Sequence, residues 1–215
     1  MSISQMIEQL AGGMGVSIQI FVVTLVFSLP LGLIVSFGRM SKNPIVRNLT
    51  KGYISIMRGT PLMLQLMVAY FGPFYLFGIQ MGRGYRLWAV FIGFVINYAA
   101  YFAEIYRSGI QSMPSGQYEA AKILGYSRSQ TFFKIILPQV IKRILPSVTN
   151  EVITLVKDTS LAFTLSVMEM FSVAKALAAK GTMMPFVAAG IFYYLFNLLV
   201  AVVMERVEKK LDYYA

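Results

Sequence analysis

Apolar residues fill five long runs separated by short polar stretches. The first covers about Val16 to Phe37, the second Tyr53 to Phe77 and the third Leu87 to Tyr106. The fourth begins near Pro146 and stays largely apolar to Phe171, with a helical tail to Ala179; the fifth covers about Pro185 to Met204. As helices rising 1.5 Å per residue, such runs suffice to cross a ~30 Å hydrocarbon layer. Ahead of them, Ile3, Met6, Ile7 and Leu10 recur at helical spacing and Gly12, Gly13 and Gly15 follow. That pattern predicts a short amphipathic lead on the membrane surface, ended by the glycines, or a frayed terminus.

Punctuation inside the runs refines this. Pro30 predicts a kink in the first. Arg58-Gly59-Thr60-Pro61 sits near the start of the second, where Gly and Pro together loosen a helix and free backbone groups that need a cavity or neighbours. Arg58 either snorkels to the inner surface or faces a pathway. Gly72 to Gly84 reads as a loop, with Pro73 ending the helix before it.

The polar stretch Glu119 to Pro138 is the exception in an apolar chain. Pro114, Ser115 and Gly116 precede a short helix over Gln117–Leu124, and Gly125 falls where a left-handed cap closes one. Ala120 and Ala121 are small enough for a partner surface to approach closely. Glu119 lies in the first turn, where a negative charge suits the helix dipole. A second helix is predicted from Ser129 to Ile136, interrupted by Pro138.

Composition turns the pattern into a class. The 215 residues are 57% hydrophobic and 13% charged, about half the charge of a soluble domain. The net charge of +10 suggests nucleic acid, but its distribution argues otherwise. Arg39, Lys42, Arg47 and Lys51 follow the first run; Arg107, Lys122, Arg128, Lys134, Lys142 and Arg143 flank the polar stretch. Fewer lie on the other side: Arg83, Arg86, Lys175 and Lys180. This asymmetry predicts five transmembrane helices with the N-terminus outside and the C-terminus cytoplasmic, the polar end Glu205, Arg206, Glu208, Lys209, Lys210 and Asp212 lying inside. There is no Cys and no His, so no disulfide framework and no metal site are expected. Glu8 and the lack of a basic lead argue against a cleavable signal.

Polar groups inside the runs are the candidate chemistry, because they are costly in lipid and face a bundle interior or a water cavity. Asn97, Tyr101 and Glu104 share one helix face, with Tyr98 beside them. Glu104 either faces the interior or pairs with Arg107 at i+3. In the fourth run, Glu151, Thr154 and Asp158 share a face, while Lys157 and Asp158 point apart and need separate partners. No Gly-x-x-x-x-Gly-Lys-Ser/Thr, His-Glu-x-x-His or Gly-x-Ser-x-Gly motif is present, so neither nucleotide binding by a P-loop nor hydrolysis is expected.

Glu119-Ala120-Ala121, three residues, Gly125, nine residues, then Ile135-x-Leu137-Pro138 resembles the coupling-loop signature of ATP-binding-cassette (ABC) importer permeases. Arg58-Gly59-Thr60-Pro61-Leu62 with Gln65, Tyr101-x-Ala103-Glu104-Ile105-x-Arg107-Ser108-Gly109-Ile110, and Lys157-Asp158-Thr159-Ser160-Leu161 followed by Glu169 resemble the branch serving polar amino acids. The resemblance implies an all-α membrane protein of the type I ABC importer permease fold, a single permease domain over 1–215, multi-pass in the bacterial plasma (inner) membrane. It implies a coupling loop at about 108–143, in which Glu119, Ala120, Ala121 and Gly125 belong to a helix docking on an ATPase. Partners follow: a homodimer or a heterodimer with a similar permease, two ATP-binding-cassette ATPase subunits, and an extracellular or periplasmic amino acid binding protein. ATP and Mg would sit on the ATPase chains, with no cofactor on this one.

The substrate reading rests on charge. Glu104, Glu151 and Asp158 face Arg58 and Lys157 within the runs, an acidic excess suited to a basic amino acid such as arginine, lysine or histidine. The expected substrate-binding set is Asn97, Tyr98, Tyr101, Glu104, Lys157, Asp158, Thr159 and Ser160, with Arg58, Gln65, Glu151 and Glu169 along the pathway. An ion-driven secondary amino acid carrier is the alternative, since intramembrane carboxylates suit it as well.

Overall fold

The computed structural model describes residues 2–82, 84–179 and 181–211. Arg83, Lys180 and Asp212 therefore lie outside the described residues. In chain order the helices are α1 (Ile3–Arg39), α2 (Pro44–Gly59), α3 (Leu62–Phe77), α4 (Tyr85–Gln111), α5 (Ser115–Ile123), α6 (Arg128–Gln130), α7 (Leu137–Asp158), α8 (Met170–Ala178) and α9 (Met184–Lys210). A π turn, Thr131–Ile136, joins α6 to α7, and a 3-10 stretch, Thr159–Leu165, extends α7. Among the described residues there is no strand. Helices α1, α4 and α9 are each long and apolar enough to cross a membrane. Two further spans result if α2 with α3, bent by 112°, and Arg128–Leu165 with α8, bent by 60°, each count as one.

The amphipathic lead does not exist as a separate element. Helix α1 runs unbroken for 37 residues, through Gly12, Gly13, Gly15 and Pro30. Gly13 serves close packing: a Cβ there would stand 3.0 Å from the Met170 Cα and N. The Met170 N–H reaches the Ser17 hydroxyl at 3.3 Å. Met6, Leu10 and Met14 are buried with Ala174, Leu177 and Ala189. Of the four apolar residues read as a surface stripe, Met6 and Leu10 thus lie in a helix–helix seam, while Ile3 and Ile7 stay exposed.

Helix α4 is the centre of the main core. Its Phe94, Tyr98 and Phe102 are buried with Ile20 of α1, Leu66 of α3 and Leu155 and Val156 of α7. Gly32 brings α1 against it, since a Cβ there would lie 2.8 Å from the Phe102 Cβ.

Four boundaries differ from the sequence expectation. The second run is a sharply bent helix pair rather than one loosened helix, with Thr60 and Pro61 extended between the two. Helix α3 passes through Pro73 and ends at Gly78, whose φ of 68° closes it; losing one donor is tolerable where the remaining backbone bonds persist. Pro138 does not interrupt its helix, and α7 begins before Pro146 rather than near it. Pro138 follows a π turn in which the Leu137 N–H donates five residues back, to the Phe132 carbonyl, and this widened turn accommodates the ring and its missing donor.

Candidate functional site

Two regions carry the polar chemistry: the segment around α5, and the interior faces of α2, α4 and α7. Helix α5 begins one residue after Pro114 and is capped at Leu124. Gly125 has φ of 78°. Its N–H donates to the Lys122 carbonyl at 3.1 Å, and the Tyr126 N–H donates to the Ala121 carbonyl at 3.0 Å. These two bonds form a Schellman closure, which needs the left-handed residue that only Gly supplies cheaply. Ala121 is buried, whereas Glu119, Ala120 and Gly125 are exposed. Ile123 and Leu124 are 86% and 73% exposed, an apolar tip on a polar helix. Gln117 and Gln139 exchange amide hydrogen bonds at 2.8 and 2.6 Å. The Arg143 guanidinium donates to the Ser112 carbonyl at 3.0 Å. The short helix is therefore clamped to the start of α7.

In the interior, Asn97 and Gln65 come together at the α2–α3 bend. The Asn97 amide donates to Gln65 Oε1 at 2.9 Å and to the Met57 carbonyl at 3.2 Å. Gln65 Nε2 donates to the Met57 carbonyl and to Thr60 Oγ1, each at 2.9 Å. These side chains satisfy backbone and hydroxyl groups that the helix break leaves free.

At the next residue of α4, the Tyr98 hydroxyl donates to Asp158 Oδ2 at 2.7 Å. The Tyr98 ring lies 6.2 Å from that of Tyr101, and the Arg58 guanidinium sits 5.4 Å over the Tyr101 ring. Glu104 takes the i,i+3 pair with Arg107: Nη2 donates at 2.6 Å and Nε to both oxygens at 3.1 Å. Arg39 at 3.8 Å and Arg58 at 4.0 Å join it. Three helices thus place four charged side chains at one level.

The remaining sequence candidates are dispersed. Glu151 is half-buried and Lys157 is exposed. Thr159 is fully buried and donates to the Val156 carbonyl, while Ser160 donates to the Lys157 carbonyl, each at 2.8 Å. Glu169 is also fully buried and stands apart from the others. It caps α8 by accepting the Phe171 and Ser172 N–H groups at 2.7 Å, and it receives the Tyr193 hydroxyl at 3.1 Å. Sequence reasoning missed Tyr193 and the approach of Arg39 to Glu104. Both contacts join residues far apart in the chain, and no local spacing signals them.

Residues 28–213 match the family described as "binding-protein-dependent transport system inner membrane component". The L-cystine transport system permease protein TcyB of Bacillus subtilis (strain 168) is 34% identical over 208 residues, covering 95% of this chain and 87% of its own. The arginine transport system permease protein ArtQ of the same organism is 34% identical over 201 residues, covering 93% and 90%. A crystal structure described as an amino acid ABC transporter with histidines superimposes with a TM-score of 0.86 at 26% identity, covering 98% of this chain and 99% of that one. The chain belongs to the family of binding-protein-dependent transport system inner membrane components. It is a permease subunit of an ABC transporter and not an enzyme, which takes the place of the ion-driven carrier.

Proposed function

We propose that this chain is the membrane subunit of an ATP-driven importer for polar amino acids, with a preference for basic ones. It crosses the bacterial inner membrane five times, N-terminus outside and C-terminus cytoplasmic, each bent pair accounting for one crossing. Two permease chains line the pathway, and two ATPase subunits dock on their α5 helices. A separate binding protein delivers the substrate from outside. The class of cargo is supported by relatives named for cystine and arginine and by a structural neighbour described with histidines.

The observation that carries the coupling role is α5 itself. A Schellman-closed helix, clamped to α7 through Gln117 and Gln139, holds apolar Ile123 and Leu124 out into solvent. An exposed apolar tip on a rigid polar helix suits a groove on another subunit. For the cargo, Glu104 is already engaged by arginines, so the basic preference rests on Asp158 and Glu151 of α7. Tyr101 and Arg58 complete the lining, with the buried Tyr98 holding Asp158 from behind and Asn97 and Gln65 holding the bend beside it.

The test is reconstitution with the ATPase subunits and binding protein, measuring uptake of arginine, glutamine and cystine together with ATP hydrolysis. Uptake coupled to hydrolysis and highest for arginine is the expected outcome. Coupled uptake favouring glutamine or cystine would overturn the basic preference and keep the importer. Failure of the ATPase to bind would overturn the role of α5.

A further inference from the structure

Helix α2 presents a face that neither the coupling segment nor the interior polar groups use. Ile45, Leu49 and Ile56 are 68%, 70% and 59% exposed and fall on one side of the helix, at i, i+4 and i+11. Arg47 and Lys51 are exposed as well. At 3.6 residues per turn they fall roughly opposite that apolar side. Away from the apolar side and next to Arg47 around the helix, Ile54 is buried with Ala100 and Ala103 of α4, and a Cβ on Gly38 of α1 would meet Thr50 at 2.8 Å. The helix is therefore pinned on the half that carries Thr50, Ile54 and Arg58, with the apolar stripe open on the opposite side and the exposed side chains of Arg47 and Lys51 flanking the seam nearer its N-terminus.

The charge around it is one-sided. From residue 9 to residue 103 the chain contains no Asp or Glu. Neither the Arg47 guanidinium nor the Lys51 ammonium has an ion-pair or hydrogen-bond partner among the described residues. Helix α2 also turns by 112° from apolar α3, so if α3 stands across the bilayer, α2 lies close to its plane. A basic, amphipathic, in-plane helix buries its apolar side at the acyl boundary and meets headgroups with its cations.

We infer that α2 is an anionic-phospholipid site, in which Ile45, Leu49 and Ile56 rest on acyl chains while Arg47 and Lys51 hold the headgroup phosphate. The site goes beyond the proposed transport activity and does not depend on which amino acid is carried. Lipid chemistry is favoured over a protein partner because only one sign of charge is presented, beside an apolar stripe of the width of a single helix.

The experiment places a reporter on the apolar side: Leu49→Trp in a Trp88→Phe background, Trp88 being the one tryptophan of the chain. The full chain is reconstituted with brominated phosphatidylglycerol or brominated phosphatidylcholine, and quenching of the reporter is read. Quenching by both, with a preference for phosphatidylglycerol of up to about thirtyfold, is expected from two interfacial cations. Adding Arg47→Gln and Lys51→Gln should bring the preference near unity. If that variant does not fold, about 0.5 M salt with both cations intact should lower the preference by screening. Equal quenching by the two lipids would overturn the inference. So would no quenching by either, the sign of a face covered by a second permease or an ATPase. Uptake measured on the Leu49→Trp protein reports transport separately, so failure of either reading is recognisable.

Discussion

Tyr98 donates its hydroxyl proton to Asp158 Oδ2 at 2.7 Å, joining the middle of α4 to the last residue of α7. The carboxylate that carries the proposed cargo preference is thus held by a phenol that is itself 2% exposed. Tyr98→Phe removes the donor while keeping the ring. Leaving a partly buried acceptor unpaired costs about 1–3 kcal/mol, so thermal denaturation in detergent should fall by several degrees. Asp158→Asn keeps an acceptor oxygen and should cost less stability. Its expected effect is a loss of preference for arginine over glutamine in competition uptake, and an unchanged preference would remove Asp158 from the cargo site.

Gly125 has open space around the position a Cβ would take, but φ of 78°. Gly125→Ala therefore acts through backbone conformation rather than a clash, at about 1 kcal/mol. Asn adopts the left-handed conformation more readily. Stimulation of the ATPase by loaded binding protein should drop several-fold for Ala, recover largely for Asn, and leave the melting temperature of the permease nearly unchanged. Equal stimulation in all three proteins would separate the cap from coupling.

Glu104 is the one carboxylate among Arg39, Arg58 and Arg107. Glu104→Gln leaves three guanidinium groups repelling one another and removes charge-assisted bonds worth about 1.5–3 kcal/mol. The variant should melt earlier at low salt, and added salt should recover part of the loss by screening. A melting curve that ignores both the substitution and the salt would show that the cluster adds nothing to stability.

Gly32 lets α1 meet α4: an added Cβ would stand 2.8 Å from the Phe102 Cβ and 3.0 Å from the Ala99 carbonyl oxygen. Gly32→Ala forces the two helices apart, with an expected cost of about 1–3 kcal/mol. Gly52, with nothing within 4 Å of its Cβ position, is the control. Gly52→Ala should melt no earlier than the unmodified chain.

Much of this was legible in the sequence, for reasons that are local. Apolar run length marked α1, α4 and α9, and a helix followed by Gly125 marked α5 to within two residues. The i,i+3 spacing of Glu104 and Arg107 contained their ion pair. What escaped was set by contacts between distant residues. Gly12, Gly13 and Gly15 read as a terminator, yet α1 continues because Gly13 admits the backbone of α8. Pro138 read as a breaker, yet a π turn ahead of it absorbs the constraint. Arg39 reaches Glu104 only because α1 and α4 lie side by side, which no spacing along either helix can encode.

The reach of α7 has a mechanical consequence. Its 22 residues span about 33 Å, with the Gln117–Gln139 clasp near one end and Asp158 at the other. A body of that length works as a lever. A tilt of about 10° at the clasp carries the far end through about 5 Å, roughly the length of an amino acid side chain. If the proposed roles of α5 and Asp158 hold, a modest rocking of α5 is enough to withdraw Asp158 from the cargo, with no helix needing to unwind.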